Sequence, residues 1–127
     1  MDKILAEISA GELFDKITIL EIKKTKISNK EKLNDVEKEL SSLNETVKKF
    51  IPNQNKILKH ISDLKKINLK LWDIEDGKRA AEKNKDFSEK FIELARNVYR
   101  FNDERAKIKL LINNELGSNI KEVKSYE

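Results

Sequence analysis

Apolar residues recur at helical spacing along most of the chain. A first helix is predicted over residues 10–27, where Ser9 and Glu12 form a capping pattern and the apolar side chains spread around much of the helix. In a second helix, over 30–50, they follow the alternating three- and four-residue spacing of a heptad. Pro52 ends that helix, because the residue before a proline disfavours the helical conformation. The first half of the chain therefore predicts a helix pair.

The second half of the chain predicts two longer helices. The third covers residues 54–83 and contains Gly77, a weak break signal, and the fourth covers 87–116 and ends at Gly117. The tail, residues 118–127, is apolar enough to dock on the helices or to run extended along them. Its apolar residues are Ile120, Val123 and Tyr126.

These elements predict an all-α fold, an antiparallel up-down helical bundle in one domain over residues 1–127. Short loops force consecutive helices to become antiparallel neighbours. At ~1.5 Å per residue, helices 3 and 4 would reach roughly 45 Å, against roughly 27 to 32 Å for the first two. We therefore expect a long hairpin of helices 3 and 4 that protrudes beyond the shorter pair.

The tip of that hairpin carries apolar side chains, and an apolar surface of this kind is seldom left in water. The candidate interface residues are Trp72, Ile74, Phe87 and Phe91. A homodimer would bury them, and so would a fold of helix 3 at Gly77 or the C-terminal tail. We expect a homodimer, and a further protein partner stays open.

Composition favours helices and excludes several classes of site. The 127 residues include three glycines, one proline, one histidine and no cysteine. So few turn formers do not suit a β-sandwich or barrel, and the lack of cysteine excludes disulfides, thiolate nucleophiles and zinc fingers. No signal peptide is recognisable, and no apolar run approaches the ~20 residues that span a bilayer. We expect a cytoplasmic protein without a membrane segment.

The charge balance is mildly basic, with 27 lysines and arginines against 23 acidic residues. One helix face carries Lys56, Lys59, Lys66 and Lys70 at near-helical spacing, which could contact phosphates. Asp63 interrupts this stripe, and lysines on the solvated face of an amphipathic helix have the same pattern. Weak nucleic-acid binding is therefore a third interpretation only.

Polar residues interrupt the apolar heptad positions of helices 3 and 4, which we call the seam. Asn68 and Glu75 fall on the seam of helix 3, and Arg105 falls on that of helix 4. Because burying an unpaired charge is costly, these residues either pair with one another or line an occupied cavity. A turn near residue 85 places Arg105 level with Asn68, and Glu75 level with Arg96. The candidate polar cluster comprises Asn68, Glu75, Arg79, Arg96, Tyr99 and Arg105.

A set of acidic residues could instead hold a hard cation. Glu12 and Asp15 lie three residues apart on helix 1, and carboxylates at this spacing can converge on Mg²⁺. Together with Glu75 and Asp76 they would form a metal site resembling that of the all-α nucleotide pyrophosphohydrolases, where Mg²⁺ bridges phosphates and activates water. That enzyme family pairs ExxE-type with ExxD-type elements, but here no ExxE element follows Glu12-x-x-Asp15 at a convincing spacing. A non-enzymatic interaction or assembly module without a cofactor is therefore the leading interpretation, and the Mg²⁺ enzyme is the alternative.

Three stretches of the chain carry a distinctive combination of residues. They are ISAGELFDKITILEIK at 8–23, LWDIED at 71–76 and FIELARNVYRFNDERA at 91–106. These stretches resemble a family of small helical bacterial and phage proteins of unknown function, and the resemblance spans almost the whole chain. It implies a stand-alone helical domain and brings no activity or ligand to these positions. At Gly77 family members usually carry a better helix former, so helix 3 could break there.

Overall fold

The computed structural model describes residues 1–125, and within that range it contains helices and no strand. The helices are α1 (Ala10–Lys26), α2 (Lys30–Phe50), α3 (Leu58–Lys83) and α4 (Glu89–Leu116). Tyr126, which the tail contributes to the apolar pattern, lies outside the described residues. None of the helices in the described range has an apolar stretch of the length that crossing a membrane requires.

Local side-chain chemistry fixes several helix ends. The Ser9 hydroxyl accepts a hydrogen bond from the backbone N–H of Glu12 at 3.0 Å, and the Asn29 side chain caps α2 in the same way. At the other end of the chain Gly117 stops α4, because it adopts the left-handed conformation with φ 62°. These helix ends can therefore be predicted from the capping residues in the sequence.

The two long helices begin later than their apolar patterns suggest. The Asn53 side chain accepts from the N–H of Asn55 at 3.0 Å, so a 3₁₀ turn (Asn55–Ile57) precedes α3. The Asp86 carboxylate likewise accepts from the N–H of Ser88 at 3.0 Å. Both side chains hold local turns, and such turns delay the first α-helical residue.

Helix α3 continues through Gly77 without a break, as the predicted third helix requires, and the weak break signal at this glycine has no effect on it. The glycine instead leaves space for α4, since a Cβ at this position would lie 3.2 Å from Cδ1 of Leu94. Its small size therefore permits close packing of the two helices.

Helix α1 holds the fold together. It packs against each of the other three helices, α3 and α4 pack along one another, and the backbone of α2 approaches only α1 among the helices. Full burial of a large apolar side chain contributes about 1.5–3 kcal/mol, so the stability of the fold is concentrated around this helix. The buried core comprises Leu13, Phe14, Ile17, Leu20, Val36, Leu40, Val47, Ile57, Leu64 and Ile112.

The distal hairpin, residues 75–100, contains the end of α3, the connecting turn and the first half of α4. None of its residues is fully buried. Its internal packing includes an edge-to-face contact between Phe87 and Phe91, whose ring centres are 5.4 Å apart. The main core cluster likewise includes no residue of this hairpin.

Helices α1 and α4 approach closely at Gly11. The N–H of Gly11 donates to Oδ1 of Asn113 at 2.6 Å. A Cβ on Gly11 would overlap the backbone carbonyl oxygen of Lys109. The absence of a side chain is therefore required for this helix contact.

We expect Gly11→Ala to lower the free energy of unfolding by about 1–3 kcal/mol or more, because a backbone carbonyl cannot move aside as a side chain can. Gly77→Ala is the matched control. Its methyl group meets only the flexible end of Leu94, and alanine gains about 1 kcal/mol of helix propensity. Urea unfolding followed by circular dichroism measures both variants, and equal losses of stability would contradict the close approach.

Candidate functional site

A buried polar network joins α1 to both long helices. At its centre is the Asp15 carboxylate, which is 1% exposed. Arg105 of α4 binds it with both arms of the guanidinium, from Nε to Oδ1 at 2.8 Å and from Nη2 to Oδ2 at 2.5 Å. Asn68 of α3 donates from Nδ2 to Asp15 Oδ1 and to Thr18 Oγ1, at 3.0 Å each. One carboxylate thus connects three helices, and we call these four residues the Asp15 network.

A second ion pair extends this network to the surface. Lys109 Nζ lies 2.6 Å from Glu12 Oε2 and 4.0 Å from Asp15 Oδ2. Within residues 1–125, every buried side-chain nitrogen and oxygen has a hydrogen-bond partner. A saturated network of this kind holds the helices in position, because it leaves no buried polar atom aimed at a ligand.

The environment of Asp15 favours its charged form. Burial alone would raise the pKa of the carboxyl, but hydrogen bonds from Arg105 and Asn68 and the nearby positive charges outweigh burial, so the pKa lies below its ordinary value. The hydrogen bond to Asp15 in turn raises the pKa of Arg105. Both partners therefore stay ionised at neutral pH.

Only part of the candidate polar cluster comes together. Asn68 and Arg105 meet through their shared partner Asp15. The heptad alignment predicts that Glu75 lies in a buried seam, and this prediction is wrong. The Glu75 side chain is 50% exposed and pairs along α3 with Arg79 at 3.2 Å. The buried residue at this level is the neighbouring Ile74, which is 7% exposed, so the heptad count assigns Glu75 to the wrong face of α3.

The remaining members of that cluster lie on the surface of α4. Arg96 is exposed, and Tyr99 is 57% exposed with the Arg100 guanidinium 5.9 Å above its ring. Neither residue joins Glu75 in a hydrogen bond or ion pair within the described range. Of the six residues of the expected polar cluster, two therefore meet at Asp15 and the other four are exposed.

The four carboxylates considered for Mg²⁺ do not converge. Glu12 and Asp15 are bound by Lys109 and Arg105, whereas Glu75 and Asp76 are exposed on the distal hairpin. Among residues 1–125, no group of three or more acidic, histidine or cysteine side chains could hold a metal ion. The Mg²⁺ enzyme interpretation thus lacks the ligand set on which it depends.

The candidate interface residues differ in exposure. Phe87 is 54% exposed, Trp72 and Phe91 are half-buried, and Ile74 is only 7% exposed. Ile74 therefore belongs to the internal packing and is not available to a partner. Ile92, which the seam analysis omits, is 38% exposed. The sequence does contain a signal for this face of α4, because Ile92, Ala95 and Tyr99 follow one another at spacings of three and four residues.

The role of Asp15 also escapes the sequence analysis, which considers this residue only as a metal ligand under the alternative enzyme interpretation. An indication is nevertheless present, because Asp15 and Thr18 are polar residues on a helix whose apolar positions spread around its circumference. Such polar residues must find partners within the fold. Identifying the partner requires the tertiary structure, since Arg105 is far away in the sequence.

The chain matches the family of unknown function DUF6165 over residues 4–127, and it therefore belongs to this family. No curated protein and no solved structure matches the chain. The family assignment agrees with the resemblance seen in the sequence and carries no activity with it.

We expect Arg105→Ala to cost about 3–5 kcal/mol of folding free energy, because it leaves the buried Asp15 carboxylate without its main cationic partner. Arg100→Ala is the matched control, since Arg100 lies on the same helix but pairs with Glu93 in an exposed ion pair. Urea unfolding should detect a large loss only for the Arg105 variant. Similar unfolding midpoints for the two variants would contradict the buried role of Asp15.

The pH dependence of stability offers a second test. The folded pKa of Asp15 lies below the ordinary value of 3.8, so the stabilisation by its charge is complete above about pH 5 and is lost as the pH falls through 3.8 towards the folded value. The difference in unfolding free energy between the wild type and Asp15→Asn should therefore shrink on acidification. Other carboxyls contribute equally to both proteins, so a difference that stays constant or grows would contradict the assignment.

Proposed function

We propose that this member of the family acts as a non-enzymatic assembly module, a homodimer in which the distal hairpin of one copy packs against that of a second. The observation that carries the proposal is that residues 75–100 contain no fully buried residue although the α4 part of the hairpin carries large apolar side chains, Phe91, Ile92, Leu94, Val98 and Tyr99. Exposed apolar surface gains about 25 cal/mol for each Å² removed from water. A second hairpin would supply the cover that α1 and α2 do not provide.

The contact surface lies along the outer side of α4. Ile92, Ala95 and Tyr99 follow one another at spacings of three and four residues, which places them on one helix face. Ile92 and Tyr99 are 38% and 57% exposed. In an antiparallel pair with a twofold axis near Ala95, Ile92 of one copy would pack against Tyr99 of the second copy.

The charge of the hairpin favours a second copy over a strongly charged partner. Residues 75–100 contain seven basic and six acidic side chains, so the hairpin is close to neutral. Two identical hairpins would meet without strong repulsion, and a twofold dimer is the commonest assembly of soluble proteins. A nearly neutral surface would not attract a nucleic acid or an acidic protein over a distance.

The finer features of the fold form part of the same proposal. We take the four helices as running up and down in turn, with the backbone of α2 beside α1 alone and coiled-coil packing between α3 and α4, in a cytoplasmic protein that needs no cofactor. The lysine stripe of α3 lies on a solvated face, and its Lys70 lies 5.1 Å from the ring centre of Phe101. We therefore do not favour nucleic-acid binding as the function of this protein.

Sedimentation equilibrium tests the dimer. We expect the wild type to be dimeric at micromolar concentration and Ile92→Glu to weaken association at least tenfold, because a carboxylate would enter the apolar contact. Leu58→Glu is the matched control, since Leu58 is 57% exposed at the opposite end of α3. A monomeric wild type at 100 µM, or equal weakening by both substitutions, would overturn the proposal.

A further inference from the structure

A groove runs between α4 and the C-terminal segment, residues 118–125. Its larger part has a volume of about 450 Å³ and has Ala106, Leu110 and Val123 among its lining residues. A smaller cavity of about 200 Å³ shares these three residues and reaches Lys109 and Asn113. The volume of the larger part lies in the range of roughly 300–1,000 Å³ that is usual for small-molecule sites.

Hydrogen bonds to α1 and α4 hold the C-terminal segment beside the groove. The Ser9 hydroxyl donates to the Glu122 carboxylate at 2.7 Å, and Lys124 Nζ donates to Asp103 Oδ1 at 3.0 Å. The Ser118 hydroxyl accepts from the N–H of Ala10 at 3.1 Å. The second wall of the groove is therefore fixed by specific bonds along its length.

The charges around the groove are unequally satisfied. Both acidic residues that line it are engaged, Glu122 by Ser9 and Asp103 by Lys124. In contrast, Lys107 and Lys121 are exposed and form no ion pair or hydrogen bond within the described range. Two ammonium groups without partners beside an apolar floor favour a ligand that has a negative head and an apolar body.

We propose that this groove binds a small amphipathic anion. The apolar body lies on Ala106, Leu110 and Val123, and the anionic head group lies between Lys107 and Lys121. This site uses the second half of α4 and the C-terminal segment, whereas the dimer contact uses the distal hairpin. The two proposals therefore stand on different residues and can fail separately.

A fluorescence titration with the apolar sulfonate dye 8-anilinonaphthalene-1-sulfonate tests the site. We expect saturable binding of one dye per chain, and displacement of the dye by octanoate but not by octylamine at the same concentration. Octanoate and octylamine have the same apolar length, so the difference isolates the sign of the head-group charge. Failure of the dye to bind, or equal displacement by the two competitors, would overturn the proposal.

Charge reversal at the two lysines locates the site. Lys107→Glu with Lys121→Glu should weaken dye binding at least tenfold, and both side chains are exposed, so circular dichroism should show an unchanged fold. Lys59→Glu with Lys66→Glu makes the same charge change on exposed positions of α3 and should leave the affinity unaltered. Unchanged binding in the groove variant would refute the assignment, as would loss of binding in Ile92→Glu at a dye concentration that saturates the wild type.

Discussion

The relative placement of the helices depends on one buried carboxylate. Apolar contacts between helices tolerate small rotations and shifts, whereas a two-armed guanidinium–carboxylate pair has a fixed direction and length. Asp15 binds Arg105 of α4 in this way and accepts a hydrogen bond from Asn68 of α3. A slip of α1 by one residue would separate the buried Asp15 carboxylate and the buried Asn68 amide from these partners. The pair therefore selects one packing arrangement, even where an apolar replacement could give equal stability.

The same register brings the two ends of the described chain together. With α1 held at Asp15, Gly11 meets Asn113 of α4 one turn earlier, and Ser9 reaches Glu122 beyond the end of α4. The groove beside the C-terminal segment exists because this wall is tied to the start of α1. The start of α1 therefore links three features of the fold. They are the position of α1, the contact of residue 9 with the C-terminal segment, and the shape of the groove.

Local signals predict more of this fold than of its site. Four helices follow from apolar periodicity, and their ends follow from residues such as Ser9, Pro52 and Gly117, because caps and breakers act over a few residues. Counting from the hairpin turn also predicts that Asn68 and Arg105 are neighbours. Asp15 between them is a tertiary partner that periodicity does not reveal. For Glu75 the heptad count gives the wrong face, because the buried residue at this level of α3 is Ile74.

The position of Glu75 bears on whether a second copy could cover the distal hairpin. A carboxylate at a seam position would oppose burial if it had no partner, because desolvating an isolated charge is costly. Glu75 already lies 3.2 Å from Arg79 and 3.6 Å from Lys78 on the same helix. Partial burial would therefore enclose a compensated group, and both cations are long enough to keep their heads in solvent. The acidic residue in the seam is compatible with an open hairpin and with a covered one.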